Sequence, residues 1–269
     1  MSTVEPGFVA IVLAGDRRAD DPLVIASGRG CKALLEIAGR PMLLRVLDAV
    51  RGCPGIVKLR LSGPPAASIP SVPELQQLLD SAALDWQPPG PTPSTSAGEA
   101  MRDLPPDLPV VLTTGDHALL LPEYLGHFIA AARASGADAV VGLAEYSRVR
   151  EIFPTMPKTL LRFREGDFCG CNLFAFMTPR SRELATLWRR VEGARKTPWR
   201  VLGLLGWWNV IRYRLGWLGL DQAMALLSRR TGLRIAAIRM PFGEVAVDVD
   251  TLLDHAEVER RLLLRENRA

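Results

Sequence analysis

Apolar segments that alternate with amphipathic helical patterns are the feature that most constrains this chain of 269 residues. The first segment, residues 8–14, is apolar throughout and ends at Gly15. Continuous apolar runs of this length are typical of strands that are buried on both faces of a parallel sheet. Further strands are predicted at 56–61, 109–114 and 137–143, and helices at 41–50, 72–84 and 122–135. Strands separated by helices favour an α/β fold with a doubly wound, mostly parallel sheet.

The pattern becomes less regular beyond residue 150. Strands are predicted at 159–163, 172–177, 234–240 and 244–249, and helices at 179–191, 220–231 and 251–265. The segments 16–30 and 87–98 are polar, contain Gly or Pro, and are predicted to be loops. Because no internal repeat, low-complexity tract or linker interrupts the chain, we predict a single domain over residues 1–269, with a helical insertion near 195–220.

Composition excludes several classes of protein. An apolar content of 48% with 23% charged residues is typical of a globular chain and too hydrophobic for a disordered one. Residues 1–7 lack the basic and apolar regions of a signal peptide, so a cytoplasmic location is expected. The cysteines have neither the paired spacing of a zinc site nor the density of a disulfide scaffold, and we expect them to be reduced and to pack in the interior. They are Cys31, Cys53, Cys169 and Cys171.

The sequence around Gly15 and Lys32 carries the most specific motif. Leu13-Ala14-Gly15 closes the first strand, and the segment 32–42, KALLEIAGRPM, follows a polar loop. Open α/β sheets bind ligands at the carboxyl ends of their strands, where Gly15 allows close backbone approach and Lys32 supplies a point charge for phosphate. Together these residues resemble the signature of the MobA-like nucleotidyltransferases, LAGG-x-G-x-R followed by K-x-L and G-x-P.

This family includes molybdopterin guanylyltransferases, sugar-phosphate nucleotidylyltransferases and methylerythritol cytidylyltransferases. The present sequence departs from the signature at Asp16, which stands where a second Gly is usual, and its loop to Lys32 is longer. The Arg of the signature corresponds to Arg17, Arg18 or Arg29. The resemblance implies a Rossmann-like (GT-A-type) fold, in which residues 1–150 form the nucleotide-binding half and residues 151–269 the acceptor-binding half.

The resemblance also implies which residues form the site. The family binds Mg²⁺ with an Asp that follows the central strand and with a late Asp or Asn, which correspond here to Asp116 and Asp250, with Asp248 as second choice. Catalytic roles are implied for Lys32, Asp116 and Asp250, and nucleotide contacts for Leu13, Ala14, Gly15, Arg17, Arg18, Ser96 and Gly98. Asn172, the last residue of a Gly-x-Asn motif, corresponds to a contact near the acceptor. Asp250 is also compatible with a cap on the closing helix.

The implied reaction transfers a nucleoside monophosphate from an NTP, with CTP or GTP favoured, to a phosphorylated small molecule such as a polar-lipid precursor, and releases pyrophosphate. Two alternatives remain. Asp248-Val249-Asp250 is formally a DxD motif, as in GT-A glycosyltransferases, and the altered Gly15-Asp16 signature is compatible with a non-catalytic nucleotide-binding module. The place of the DxD motif beside the last helix, together with the Lys32 motif, favours the nucleotidyltransferase.

Positive charge is concentrated in the second half of the chain. Residues 1–150 carry 13 basic and 16 acidic residues, and residues 151–269 carry 20 and 13. Four of the six Trp lie within 199–218, whose apolar stretch is too short to span a bilayer. Basic residues beside Trp and Leu are typical of a peripheral contact with the inner membrane face, but internal packing or a homodimer contact explains the same pattern. Because the aromatic residues form one apolar block, nucleic-acid binding is not expected.

Overall fold

The computed structural model describes residues 6–16, 18, 20–192 and 206–267. Its strands are β1 (Phe8–Leu13), β2 (Glu36–Ile37), β3 (Arg40–Pro41), β4 (Ile56–Ser62), β5 (Asp85–Gln87), β6 (Val110–Thr114), β7 (Ala139–Glu145), β8 (Leu161–Phe163), β9 (Gly166–Phe176) and β10 (Ile235–Met240). Its α-helices are α1 (Pro22–Ser27), α2 (Met42–Arg51), α3 (Pro73–Asp80), α4 (Pro93–Met101), α5 (Pro122–Ser135), α6 (Tyr146–Ile152), α7 (Leu184–Glu192), α8 (Trp207–Arg214), α9 (Leu220–Thr231) and α10 (Leu252–Glu266). Short 3₁₀ turns cover Lys32–Leu34, Ala66–Ser71, Arg180–Glu183 and Gly243–Ala246.

The main sheet has the strand order β10-β7-β9-β6-β1-β4-β5, and β8 pairs with β9. The strands β5, β4, β1 and β6 are parallel to one another, as are β7 and β10. β9 lies between β6 and β7 and is antiparallel to both. The prediction of an α/β, Rossmann-like fold with a mostly parallel sheet is confirmed, with β9 as the antiparallel exception within the sheet path.

Alternate residues of β1 face the two sides of the sheet, as the period of a strand requires. Phe8, Ala10 and Val12 pack in the core with α2, α5 and α10. Val9, Ile11 and Leu13 pack in the core with α4 and α7. Helices therefore cover both faces, and this explains why the sequence of β1 is apolar without interruption.

Helix α1 lies in the segment 16–30, which was predicted to be a loop. Asp21 caps it by accepting a hydrogen bond from the Leu23 N–H (2.9 Å), and Gly28 ends it in the left-handed conformation. The prediction was wrong because a polar segment with Asp, Pro and Gly has the residues of a loop and also those of helix ends.

Helix α4 begins at Pro93, inside the second predicted loop, 87–98. Thr92 is its N-cap and accepts from the Thr95 N–H (3.2 Å). The Pro, Ser and Thr residues that suggested a loop are here the first-turn and capping residues of a helix. Consequently Ser96, which was expected in a loop, lies on α4.

The segment 244–249 was predicted to be a strand and is not one. A 3₁₀ turn over Gly243–Ala246 is followed by extended chain. The Val249 N–H donates to the carbonyl of Asp116 (3.2 Å). This hydrogen bond joins the acidic segment after Val247 to the chain that leaves β6.

The structure can also be compared with the predictions for the cysteines, the helical insertion and membrane contact. All four cysteines are buried and free. Of the predicted insertion at 195–220, residues 206–220 are described and contain α8, whereas 195–205 lie outside the described residues. Within the part of the chain that the structure describes, no helix combines the length and the apolar character that crossing a membrane requires.

Candidate active site

The carboxyl ends of β1 and β6 lie side by side and form the floor of a cleft. Leu13 pairs in register with Thr114, and the Gly115 N–H donates to the Leu13 carbonyl (2.8 Å). Parallel sheets place ligand sites where the chain leaves such adjacent strands. The extended segment before α10 reaches the same point through the bond from Val249 to Asp116.

Lys32 lies between two carboxylates from distant parts of the chain. Its ammonium nitrogen Nζ is 2.6 Å from Asp116 Oδ2 and 2.9 Å from Asp250 Oδ1. The side chains of Lys32 and Asp116 are only 17% and 15% exposed, whereas that of Asp250 is 65% exposed. The structure thus brings together the three residues to which the sequence assigned catalytic roles.

The charge of Lys32 is stabilised by this arrangement. Burial disfavours the ammonium form, but the carboxylates of Asp116 and Asp250 outweigh burial and raise the pKa of Lys32 above its ordinary value. Lys32 is therefore a cation at every physiological pH.

Asp16, the departure from the family signature, connects the two parts of the motif. Its Oδ2 accepts a hydrogen bond from the backbone N–H of Lys32 (3.0 Å). Burial raises the pKa of Asp16, although this hydrogen bond and one with Cys31 oppose the shift. The Asp16 side chain holds the start of the 3₁₀ turn at Lys32 against the loop that follows β1. The presence of Asp instead of the usual Gly at this position therefore supports the site.

Two glycines allow the loops around this site to approach each other. A Cβ at Gly15 would lie 2.6 Å from the Cβ of Pro89, and one at Gly63 would lie 2.6 Å from the carbonyl oxygen of Ala14. Gly63 also has a φ of 89°, which favours glycine. The loops after β1, β4 and β5 are therefore in direct contact at the edge of the cleft.

The cleft has a volume of about 540 Å³, which suits a small-molecule site. It brings together most of the residues expected from the sequence, namely Leu13, Ala14, Gly15, Arg18, Lys32, Ser96, Asp116, Asn172, Asp248 and Asp250. Gly98 lies on α4 outside this lining, where a Cβ would be 3.8 Å from the Cβ of Ala185. Arg17 lies outside the described residues.

Arg18 and Arg29, the two described candidates for the signature Arg, differ in position. Arg18 lines the cleft and pairs with Asp20 (2.6 Å) at the protein surface. The guanidinium of Arg29 donates to the Leu34 carbonyl (3.2 Å) and pairs with Glu36 (2.8 Å). Arg29 therefore stabilises the turn after Lys32, and Arg18 is the one of these two that is placed to meet a ligand.

Asp248 has different partners from Asp250. Its Oδ1 lies 3.0 Å from the ammonium of Lys158, and its Oδ2 accepts from Asn172 Nδ2 (3.1 Å). Asn172 has a φ of 48° at the irregular part of β9, next to the register shift against β7. Such irregularities redirect side chains, and here the Asn172 side chain reaches the cleft. Lys158 was not identified from the sequence, where the only feature that distinguishes it is that Lys is rare in this chain.

Aromatic and helix-capping residues complete the wall of the cleft. Trp188 of α7 and Phe174 of β9 are stacked, with ring centroids 5.8 Å apart, and both line the cleft. Gly90, Pro91 and Thr92, which precede α4, also line the cleft, and the Gly90 N–H donates to Ser96 Oγ (2.9 Å). Trp188 was not identified from the sequence, because an apolar residue within an amphipathic helix resembles a core residue.

His117, next to Asp116, is a buried neutral residue. Burial lowers its pKa to about 4, so that the imidazole is uncharged at physiological pH. Its Nδ1 lies 3.4 Å from Thr113 Oγ1.

The residues at this site suit a magnesium ion held jointly with a substrate. Asp116 Oδ1 is buried and has no hydrogen-bond partner among the described residues. Mg²⁺ prefers oxygen ligands and is commonly bound by one or two carboxylates together with substrate phosphates. No group of three or more His, Cys, Asp or Glu side chains that would hold a metal unaided is found within the described ranges. Asp116 and Asp250 therefore fit a metal that arrives with phosphate oxygens.

Comparison with known proteins identifies a family for this architecture. Residues 10–203 match the family described as MobA-like NTP transferase domain. The matched range contains Lys32, Asp116 and Asn172 but ends before Asp250. No protein of the curated set matches the sequence.

Solved structures with a similar fold cover nearly the whole chain. A hypothetical transferase from Thermus thermophilus has 29% identity and a TM-score of 0.77, over 93% of this chain and 99% of that one. The 4-diphosphocytidyl-2C-methyl-D-erythritol synthase from Anaerococcus prevotii has 12% identity and a TM-score of 0.60, over 96% and 97%. A CMP:2-keto-3-deoxy-manno-octonic acid synthetase complexed with CTP has 12% identity and a TM-score of 0.56, over 96% and 99%. The last two show similarity of fold.

Proposed function

Because the chain belongs to the MobA-like NTP transferase family and is a nucleotidyltransferase, we propose that it transfers a nucleoside monophosphate from CTP or GTP to a phosphorylated small-molecule acceptor. The observation that carries the proposal is the Lys32 ammonium between Asp116 and Asp250, at the carboxyl ends of β1 and β6. CTP is supported by the names of two structural neighbours, one a diphosphocytidyl synthase and the other a complex with CTP. GTP is supported by the resemblance to guanylyltransferases.

In this reaction an oxygen of the acceptor phosphate attacks the α-phosphorus of the NTP. A new P–O bond forms, the bond between the α-phosphorus and the bridging oxygen breaks, and pyrophosphate leaves with that electron pair. Lys32 stabilises the negative charge on the phosphates, and Asp16 orients Lys32 through its backbone. Asp116 and Asp250 would hold Mg²⁺, which supplies charge neutralisation for the phosphates when it is bound. The remaining contribution of the protein is to position the two substrates.

The two ends of the cleft suit different parts of the substrates. Ser96, the turn at Gly90 and the ring of Trp188 form the end next to α4, which suits a nucleobase that stacks on an aromatic ring. Asn172 and Asp248 form the end next to β9, which suits the acceptor. A nucleotide that spans these ends places its α-phosphate near Lys32.

The alternatives are less well supported by the contacts. In a DxD motif both aspartates serve the metal and the nucleotide sugar, but both oxygens of Asp248 are already bonded, to Lys158 and to Asn172. A non-catalytic nucleotide-binding module needs no pair of carboxylates around a buried ammonium. Removing the two carboxylates from water has a desolvation cost, and nucleotide binding alone gives no reason for it.

Pyrophosphate release tests the proposed reaction. The protein is assayed with Mg²⁺, each of the four NTPs in turn, and a panel of phosphorylated acceptors that includes sugar phosphates, polyol phosphates and a polar-lipid precursor. We expect acceptor-dependent pyrophosphate release with CTP or GTP. Measurable NTP binding without release for any pair would favour the binding module, and transfer from a sugar nucleotide would favour the glycosyltransferase.

We also propose a peripheral membrane contact through α8, with a polar-lipid precursor as acceptor. One face of α8 is attached to the protein, because Val210 is buried and the Tyr213 ring packs edge-on against Phe163. The other face carries large exposed apolar side chains at helical spacing, and Trp208 is 66% exposed. These side chains are Trp207, Trp208 and Ile211, followed after the end of α8 by Leu215 and Trp217.

Positive charge lies beside this face. Arg214 is exposed at the end of α8, and the guanidinium of Arg230 lies 3.5 Å from the place of a Cβ at Gly206, at the start of α8. A combination of Trp, aliphatic residues and Arg is typical of helices that bind anionic lipid headgroups. The NTP substrate requires that this contact be with the cytoplasmic face of the inner membrane.

Sedimentation with anionic vesicles tests the membrane contact. Wild type is expected to pellet with phosphatidylglycerol vesicles, and the variant W207A/W208A is expected to lose most of this binding. The variant L253A, which removes an exposed apolar side chain from α10, should bind like wild type. Absence of vesicle binding by wild type would contradict the proposal, and a dimer in solution that W207A/W208A dissociates would identify the face as a homodimer contact instead.

A further inference from the structure

The ammonium of Lys32 lies between the two carboxylates that are proposed to hold a divalent cation. It is within hydrogen-bond distance of one oxygen of each, 2.6 Å from Asp116 and 2.9 Å from Asp250. A Mg²⁺ ion bound by the same two carboxylates needs metal–oxygen distances near 2.1 Å. The ammonium and the metal therefore compete for the negative charge of the same two carboxylates.

Burial makes this competition strong. Lys32 and Asp116 are largely removed from water, so their attraction is screened less than that of a surface pair. Displacement of the ammonium by a free metal ion would leave Lys32 without a partner, next to a dication. A buried cation that has lost its counter-ion is strongly unfavourable.

A bound NTP removes this obstacle because it is itself an anion. Its phosphates offer the ammonium a new partner and offer the metal additional oxygen ligands. The backbone N–H of Lys32 is fixed by Asp16, so the side chain alone needs to move. Rotation about the flexible four-carbon stem of a lysine is sufficient for such a movement.

We propose that Lys32 keeps divalent cations off the Asp116 and Asp250 pair until a nucleotide binds, so that metal and NTP enter the site together. This inference rests on the proposed function, since it takes the metal and NTP sites from it. It makes metal and nucleotide binding cooperative, and linkage requires that each ligand tighten the other by the same factor. Lys32 thus has two roles, as counter-ion of the carboxylates in the free protein and as phosphate ligand in the loaded one.

Manganese binding measured by electron paramagnetic resonance tests the proposal without an acceptor or a turnover assay, because free Mn²⁺ gives the signal and bound Mn²⁺ does not. The titration uses Mn²⁺ alone and then Mn²⁺ with CTP or GTP, and the Mn²⁺ that the nucleotide binds in a titration without protein is subtracted. The variants are K32M, which removes the charge and keeps most of the length of the side chain, and K58M. Lys58 is a half-exposed residue of β4 whose ammonium lies 3.5 Å from Asp85, outside the cleft. Thermal unfolding of each variant shows that it is folded.

We expect wild type and K58M to bind Mn²⁺ weakly alone and at least tenfold more tightly with the nucleotide. K32M should bind Mn²⁺ alone at least tenfold more tightly than wild type, and the double variant K32M/D116N should lose this gain. If K32M binds Mn²⁺ alone no more tightly than wild type does, the inference is overturned. If wild type binds no Mn²⁺ even with an NTP and K32M binds none either, the metal site of the proposed function fails instead.

Discussion

The substitution Asp116→Asn is expected to lower the rate of pyrophosphate release about 10³-fold or more. Asn keeps the size of the side chain but removes the charge that lies 2.6 Å from the Lys32 ammonium. It also removes the more buried of the two carboxylates proposed to hold Mg²⁺. Charge stabilisation by a metal contributes several kcal/mol to a transition state, which corresponds to a rate factor of about this size. The measurement is the steady-state rate with the pair of substrates that the pyrophosphate assay identifies.

A matched control separates this effect from a general loss of charge. Asp103 is a surface carboxylate that pairs with Arg60 (2.6 Å) and is not part of the cleft. Asp103→Asn makes the same chemical change there and should leave the rate within about twofold of wild type, because Asp103 lies outside the cleft and Arg60 keeps its ion pair with Asp85 (2.6 Å). Full activity of the Asp116 variant would contradict the assignment of the metal site.

The substitution Glu244→Gln is expected to lower the free energy of unfolding by about 3–5 kcal/mol, which is the range for removal of one partner from a buried ion pair. The Glu244 side chain is 4% exposed and lies between α5 and α10. It accepts hydrogen bonds from Tyr124 (2.7 Å), Arg261 and Arg265. Loss of its charge leaves the two guanidinium groups without their common counter-ion. Since a domain has only about 5–15 kcal/mol of net stability, urea unfolding should show a large shift in midpoint.

The same residue predicts how stability depends on pH. Burial opposes ionisation of Glu244, but hydrogen bonds from Tyr124 and Arg261 and the charge of Arg265 outweigh it and lower its pKa below the ordinary value of 4.5. A carboxyl group whose pKa is lowered by folding stabilises the protein above its unfolded pKa, and this contribution is lost as the pH falls through the folded pKa. The difference in stability between wild type and Glu244→Gln should therefore be full at pH 7 and should decrease at acid pH below 4.5.

A partly exposed carboxylate on α10 provides the comparison for Glu244. Glu257 pairs with Arg260 one turn away, and both side chains are partly exposed. Glu257→Gln should change the free energy of unfolding by less than about 1 kcal/mol. If the two Gln variants unfold at the same urea concentration, the buried cluster around Glu244 does not stabilise the protein as inferred.

The apolar pattern of the sequence was sufficient to predict the parallel core of the fold. β1 is recognisable because a strand covered on both faces is apolar throughout, and β4 and β6 are recognisable from shorter apolar runs that include polar residues such as Lys58 and Thr113. α1 and α4 were not predicted, since their N-cap residues, Asp21 and Thr92, are of types that occur in loops as well as in helix caps. The place of β9 between β6 and β7 was not predicted either, because the pattern of a strand does not specify its neighbours.

Sequence motifs were sufficient to predict some residues of the candidate site but not the contacts between them. Lys32 and Asp116 follow from a local motif and a strand end, together with the family resemblance. The ion pair of Lys158 with Asp248 joins residues far apart in the sequence, and an isolated Lys carries no pattern that would reveal such a partner. The N-cap of the closing helix is Thr251, which accepts from the Asp254 N–H (3.1 Å), so Asp250 does not cap this helix.

The sequence by itself determined which segments are buried strands and which polar residues follow them, because both depend on short stretches of chain. Only the tertiary structure decided the pairing of charges. Asp248 and Asp250 are separated by one residue, yet one meets Lys158 and the other meets Lys32. Their partners differ because Coulombic attraction depends on the distance between charges in space, and this distance is set by how the strands and loops are arranged in the folded protein.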